Sequence, residues 1–272
     1  MAAGHGRGPQ RRDAVDGRGR TRLTAPVEAN AIARIERPEA RILADEEFRR
    51  FATQCASFTE HEWTVPTDCT GWTVRDVALH VLGAADAQAS VKVFLHQFVR
   101  GLPVNRQIDS HHWVDGINEL QIRERRHLTG DELVAQLTAV GPKAVAGRWG
   151  TPALMRHLPI PFGPPVGWVG LRYLLDVGFT RDVWAHRIDL SVATAHPMEP
   201  TADHDGRLVA DLVAEWARIH GQPFHLALTG PAGGTFTQGT GGDHVELDAM
   251  DFVRTVSGRL PGTGVLRHPL PL

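Results

Sequence analysis

The sequence is poor in cysteine, lysine and tyrosine, and its 272 residues contain no long apolar run. Cys55 and Cys69 are too few for a disulfide-dense scaffold, and they do not form the Cys-x2-Cys pairs of a zinc ribbon. A membrane-spanning helix needs about 18 consecutive apolar residues, so none is predicted. The first dozen residues are basic but lack the apolar stretch of a signal peptide, which favours a soluble cytoplasmic protein.

An excess of charge of either sign is also missing. The 29 Lys and Arg residues nearly balance 31 Asp and Glu residues, giving a formal net charge of -2. Nucleic-acid-binding proteins normally carry a basic stripe or a high pI, so we expect no nucleic-acid partner. Lys92 and Lys143 are the only lysines, and this arginine-rich, alanine- and glycine-rich composition is typical of a GC-rich genome.

Several common catalytic motifs are absent from the sequence. There is no Gly-x-Ser-x-Gly nucleophile elbow, because Ser257 lies in Thr-Val-Ser-Gly. There is no Walker loop, and the glycine-rich segment 233–242 does not lead from a strand into a helix. His61 and Glu62 begin the His-Glu-x-x-His motif of zinc proteases, but the fifth position is Val65.

Hydrophobic periodicity predicts a mostly helical chain with a small β-region at its end. The predicted helices cover about 39–60, 74–100, 112–127, 129–146, 166–192, 203–220 and 248–258. Capping signatures begin two of them, Thr73 with Asp76 and Thr129 with Glu132. The segment 152–165 contains five prolines, so it is predicted to be a long loop over one end of a helical bundle.

The fold class predicted from this pattern is α+β, with three parts. Residues 1–37 are rich in arginine and glycine and are predicted to be a disordered leader, with a phosphate-binding arm as the alternative. Residues 38–196 are predicted to form the helical bundle. Residues 197–272 are predicted to form a small α+β domain, whose short strands with glycine-rich turns indicate an antiparallel meander.

Two helices carry an aspartate followed four residues later by a histidine. These are Asp76 with His80, and Asp182 with His186. Residues four apart share one helix face, so each pair points in one direction. If the two helices pack together, His80, Asp182 and His186 converge as two imidazoles and a carboxylate. That is the ligand set of a catalytic zinc site with one open position.

The spacing by itself leaves other interpretations open. Asp76 can serve as the capping partner of Thr73. His80 can be a buried histidine that is hydrogen-bonded within the bundle, and Asp182 can pair with a neighbouring arginine on a solvated face.

The segment from Cys69 to His80 reads Cys-Thr-Gly-Trp-Thr-Val-Arg-Asp-Val-Ala-Leu-His. It resembles the first metal-ligand helix of the mycothiol-dependent maleylpyruvate isomerase family, within the DinB-like superfamily. The stretch 181–189 is similar to the family's second ligand helix, which has Glu-x3-His followed by Asp. The last predicted helix, with Ser257-Gly258-Arg259 at its end, resembles the family's small C-terminal domain. The resemblance spans about residues 39–265.

The resemblance implies a DinB-like four-helix bundle followed by a small sterol-carrier-like α/β domain. It implies zinc ligation by His80, Asp182 and His186. Asp189, three residues beyond His186, is predicted to orient an imidazole from outside the ligand set, with a solvated position on the helix surface as the alternative. It also places Arg259 in the active site as a catalytic group, where a guanidinium can clamp a carboxylate substrate. The alternative for Arg259 is a charge that complements the dipole at the end of the last helix.

The chemistry implied by the resemblance is activation of the low-molecular-weight thiol mycothiol, which actinobacteria make. Zinc lowers the pKa of a bound thiol, and the thiolate then adds to a small electrophile for isomerisation or for S-transfer. Asn118, Gln121 and Arg125 are predicted to face the sugars of this thiol. Neither Cys55 nor Cys69 is expected to be the nucleophile.

Asp182 departs from the family pattern, which has glutamate at this position. Aspartate is one methylene shorter, so retention of a metal–oxygen bond requires a shift of backbone or metal. The alternative function is therefore a non-enzymatic small-molecule-binding module that has lost its metal, and a further one is metal-dependent hydrolysis without a thiol. The expected partners are a small thiol and an electrophile, without nucleic acid or membrane, for a monomer or homodimer.

Overall fold

The computed structural model describes residues 25–108, 112–194 and 196–270, which form helices and a small sheet. The helices are α1 (Arg37–Cys55), α2 (Val74–Ala89), α3 (Val91–Gln107), α4 (Trp113–Arg125), α5 (Gly130–Gly150), α6 (Leu171–Tyr173), α7 (Phe179–Ala193), α8 (Asp205–His220) and α9 (Ala249–Val256). The strands are β1 (Val27–Glu28), β2 (Pro159–Gly163), β3 (Gly167–Gly170), β4 (Phe224–Thr229), β5 (Gly234–Gln238) and β6 (Asp243–Asp248). Within these ranges no helix is long and apolar enough to cross a membrane.

Helices α1, α2, α5 and α7 pack around one apolar core, and the α3–α4 hairpin packs against α2. The capping boxes predicted at Thr73 and Thr129 are both present at the starts of α2 and α5. In α2, Val77 and Val81 are completely buried at the helical spacing of four residues. The predicted α+β class with a helical bundle is confirmed.

The prediction of a single helix over 74–100 is wrong, because the helix is interrupted at residue 90. Ser90 has an extended backbone with φ of -146°, so α2 ends before it and α3 begins after it. Its hydroxyl accepts a hydrogen bond from the amide of Val93, as serine commonly does at a helix start. The break lets α3 leave α2 and pack against α4.

The prediction of a long loop over 152–165 is wrong from residue 159 onward. Strands β2 and β3 pair antiparallel there, and the prolines are accommodated because a two-stranded ribbon has only edge strands. The helix predicted from residue 166 therefore begins later, at α6. A π-helical turn, Leu174–Gly178, then leads into α7.

The C-terminal sheet has the strand order β1-β5-β4-β6. Strand β4 pairs antiparallel with β5 but parallel with β6, so the predicted antiparallel meander is only partly correct. The connection from β5 to β6 crosses the start of β4. Gly242 permits this crossing, because it has φ of 87° and a Cβ there would collide with the carbonyl oxygen of Pro223.

Residues 25–36 belong to this folded part, and the predicted leader boundary at residue 37 is therefore too late. Val27 and Glu28 pair parallel with β5, and Ala29 is completely buried in the C-terminal core. Residues 1–24 lie outside the described residues. Sequence alone missed β1 because a two-residue strand has no periodicity to detect.

A buried ionic network ties the bundle to α8. Arg187 on α7 donates to Glu47 on α1 at 2.6 Å and to Asp205 on α8 at 2.5 Å. Asp205 also accepts from Arg50 at 3.0 Å, and His204 lies 2.6 Å from the second oxygen of Glu47. Since Glu47, Arg187 and Asp205 are each at least 95% buried, these charges depend on one another.

Candidate metal centre

His80, Asp182 and His186 converge between α2 and α7. The Nε2 atoms of His80 and His186 lie 3.7 Å from Oδ2 and Oδ1 of Asp182, respectively. The two imidazole rings are 5.1 Å apart and nearly perpendicular. The indole of Trp72 lies 5.1 Å from the His80 ring and covers one side of it. The three residues predicted as ligands are thus brought together.

His80 is oriented by two buried glutamines. The backbone carbonyl of Gly83 can only accept, so it fixes the amide of Gln97, whose nitrogen donates to it at 2.8 Å. The oxygen of Gln97 accepts from Gln121 at 2.7 Å, which leaves the oxygen of Gln121 facing Nδ1 of His80 at 2.8 Å. Nδ1 of His80 therefore donates to Gln121, and Nε2 of His80 faces Asp182.

His186 is oriented by a carboxylate instead. Its Nδ1 lies 3.0 Å from Oδ2 of Asp189, which also accepts from Arg259 at 2.8 Å. The thiol of Cys69 donates to the same oxygen at 3.3 Å. These contacts occupy Nδ1 of His186 and leave its Nε2 facing Asp182.

The surroundings favour the charged forms of these groups. Burial raises the pKa of Asp182, but the hydrogen bond from His80 and the charge of His186 outweigh it and lower the pKa to about 2. Burial lowers the pKa of His186, but Asp189 outweighs it and raises the pKa to about 10. Burial likewise opposes ionisation of Asp189, yet His186 and Arg259 lower its pKa. A cation between the Nε2 atoms would have to compete with a proton on His186.

The donor set fits a divalent metal such as zinc. One donor atom from each of His80, Asp182 and His186 lies within 4.8 Å of the others. Two atoms bound to one ion at about 2.1 Å and a tetrahedral angle are about 3.4 Å apart, close to the distances found here. Asp182 therefore reaches both imidazoles despite its shorter side chain. That side chain is 31% exposed, so a further ligand can approach from its side.

Two other groups of possible ligands are less suited to a cation. In the group of Cys69, His186 and Asp189, the Arg259 guanidinium already pairs with the carboxylate. In the group of Glu47, His204 and Asp205, Arg187 binds both carboxylates. A positive charge is already present in each group, and it would repel a metal ion.

A family model described as the mycothiol maleylpyruvate isomerase N-terminal domain matches residues 44–191, which is more than half of the chain. The chain belongs to this family. The match includes all three candidate ligands, and the enzyme class expected from the sequence agrees with the family, which is named after an isomerase.

Solved structures extend the likeness beyond this N-terminal domain. A mycothiol-dependent maleylpyruvate isomerase has 20% identity and a TM-score of 0.52, covering 84% of this chain and 92% of that chain. A histidine-to-alanine mutant of such an enzyme has 19% identity and a TM-score of 0.52, covering 83% and 90%. At this identity the likeness establishes the fold. The comparison with curated proteins gave no match.

The remaining residues singled out from the mycothiol maleylpyruvate isomerase pattern lie in different places. Gln121 is buried against His80, whereas it was predicted to face the thiol. Arg125 pairs with Asp86 at 2.7 Å, and Asn118 lies half-buried two turns before Arg125 on the same face of α4. Contact of any of these residues with a thiol stays a prediction.

Arg259 and Cys69 lie behind His186. Both Nε and Nη2 of Arg259 donate to Asp189, so its contact with the centre runs through that carboxylate. Cys69 was not expected to be the nucleophile, and its hydrogen bond to Asp189 was not predicted. The only signal was its position three residues before Trp72, at the start of the family motif.

We expect Gln121→Ala to weaken zinc binding, because Nδ1 of His80 would lose its acceptor and the imidazole its fixed orientation. Loss of such a partner typically lowers metal affinity by about 10- to 100-fold. Competition with a zinc chelator measures this change. Gln107→Ala is the control, since Gln107 is exposed and pairs with Arg123 away from the centre. Equal affinities for the two variants would contradict the orienting role of Gln121.

Proposed function

We propose that this protein binds zinc through His80, Asp182 and His186 and uses mycothiol to isomerise a small electrophilic substrate. The observation that carries this proposal is the convergence of the Nε2 atoms of His80 and His186 on the Asp182 carboxylate. Membership of the mycothiol maleylpyruvate isomerase family supports the choice of thiol and of isomerisation. In this proposal the protein acts in the cytoplasm on small molecules.

Bound zinc would lower the pKa of a thiol, whose reversible addition to a conjugated double bond permits rotation about it. The chain's own residues prepare this chemistry. Gln121 and Asp189 hold the two imidazoles in one orientation, so no reorganisation is needed when the centre is formed. Trp72 shields His80 from water on one side, while the exposed edge of Asp182 leaves room for the thiol and substrate.

Arg259 is the residue best placed to attract a carboxylate group of the substrate. Its Nε and Nη2 pair with Asp189, whereas its Nη1 makes no hydrogen bond with the described residues. The side chain is 13% exposed, so a substrate can reach it from solvent. Because Asp189 also contacts His186, a carboxylate held by Nη1 would lie close to the metal ligands.

The proposal is tested with zinc-loaded protein, maleylpyruvate and mycothiol. We expect turnover only when the thiol is present, with the thiol recovered unchanged because isomerisation releases it. Stoichiometric loss of the thiol would indicate S-transfer instead. Turnover without any thiol would indicate hydrolysis. If the chain takes up no zinc and shows no turnover, the non-enzymatic binding module is favoured.

A further inference from the structure

Helix α3 exposes a continuous apolar stripe on the side that faces away from the bundle. The stripe consists of Val91, Phe94, Leu95, Phe98, Val99 and Leu102, which are 72%, 52%, 54%, 40%, 62% and 44% exposed. Their spacing places them on one side of the helix. Soluble monomers rarely expose so many large apolar side chains together, and such a patch marks an interaction site.

The opposite side of α3 is firmly packed. Gln97 and Val104 are buried, and Gly101 lies so close to Ile117 of α4 that it has no room for a Cβ. Gln97 also bonds to Gly83 and Gln121, as described above. The helix is therefore held in place by its inner face, and its apolar face is a fixed feature of the surface.

The area of the stripe matches what a dimer requires. Full exposure of such side chains corresponds to roughly 150–220 Å² each, so the exposed fractions give about 600 Å² per copy. Complete burial of two such faces removes at most about 1,200 Å² from water, the lower end of stable protein–protein interfaces. Neighbouring polar side chains at the rim add to this area.

The spacing of the apolar positions in the stripe is also the same in both directions along the helix. About a midpoint between His96 and Gln97, Val91 corresponds to Leu102 and Phe94 to Val99, while Leu95 corresponds to Phe98. An antiparallel copy of α3 thus presents apolar side chains, of different kinds, at the same spacing. This is the self-complementarity that a two-fold symmetric interface needs.

We propose that α3 forms a homodimer interface in which the apolar stripes of two chains pack antiparallel around a two-fold axis. A second copy offers a better apolar match than residues 1–24, whose sequence contains three large apolar residues, Met1, Val15 and Leu23, against six in the stripe. The dimer holds the outer face of α3 in place, and Gln97 lies on the inner face of the same helix. It therefore also supports the contacts from Gln97 through Gln121 to His80.

Sedimentation velocity of the full chain at 1–100 µM tests this interface. The expected mass is twice the 29.8 kDa of one chain. Val99→Glu and, separately, Leu95→Glu bury an unpaired carboxylate at the interface, so we expect the dimer to weaken by about 100-fold or more. Ile42→Glu is the matched control, because Ile42 is 70% exposed on α1, away from the stripe, and this variant stays dimeric.

A wild-type chain that remains monomeric at 100 µM overturns the proposal. So does a dimer that persists in both α3 variants while circular dichroism shows them folded. Monomeric protein that pellets with vesicles containing phosphatidylserine, and loses this binding in Val99→Glu, would assign the stripe to a membrane surface instead. Zinc content is measured on the same samples. If the chain holds no zinc, the proposed function fails, but the expected mass is still that of a dimer.

Discussion

His186→Ala removes zinc and thiol-dependent turnover together. His80 and Asp182 alone leave two protein ligands, which is too few for a stable zinc site. We expect zinc in the purified protein to fall from about one per chain to below about 0.1. We expect turnover to fall by at least about 1,000-fold, since the metal supplies several kcal/mol and each 1.4 kcal/mol is a factor of ten. Elemental mass spectrometry and the mycothiol assay measure the two effects.

The control for this variant is His196→Ala. His196 is also a histidine next to a carboxylate, lying 3.0 Å from Glu62, but it is outside the candidate centre. It should keep both zinc and turnover. If the His186 variant also kept full ligand binding and unchanged stability, while wild-type protein held no zinc at micromolar concentrations, the non-enzymatic binding module would be the better description.

Arg187→Met destabilises the whole chain by about 3–5 kcal/mol, the typical cost of removing one partner from a buried ion pair. The substitution keeps a long apolar stem but leaves the carboxylates of Glu47 and Asp205 buried without their shared cation. Arg50 still reaches Asp205, so Glu47 suffers the larger loss. Urea unfolding of the purified variant measures the change in free energy.

Arg49→Met is the matched control for this prediction. Arg49 forms an ion pair with Glu46 at 2.6 Å, but its side chain is 64% exposed. Exposed pairs contribute about 0–1 kcal/mol, so this variant should unfold close to wild type. If the two variants lost similar free energy, the network linking α1, α7 and α8 would not be the stabilising element proposed here.

The candidate ligands could be found from sequence because their signal is local. His80 follows a capping box that fixes the start of α2, and Asp182 and His186 share one face of α7. Spacing of four residues is enough to place Asp182 beside His186, and family resemblance links them to His80. Asp189, three residues beyond His186, was predicted as its orienting partner for the same reason.

The partners around these ligands could not be found in this way, because they come from distant parts of the chain. Gln121 reaches His80 only because the α3–α4 hairpin packs against α2, which depends on the unpredicted break at Ser90. Arg259 reaches Asp189 from beyond α9. Cys69 reaches Asp189 from the loop before α2. No short-range pattern encodes these contacts.

The pairing of β1 with β5 has a consequence for the order in which the protein is assembled. Glu28 and Thr237 are hydrogen-bonded although 209 positions separate them. During synthesis, β1 therefore waits for β5, which is made near the end of the chain, while the helices between them already have local partners. A nascent chain released before residue 234 would leave β1 without its partner strand β5 and the side chain of Ala29 without the core in which it is buried.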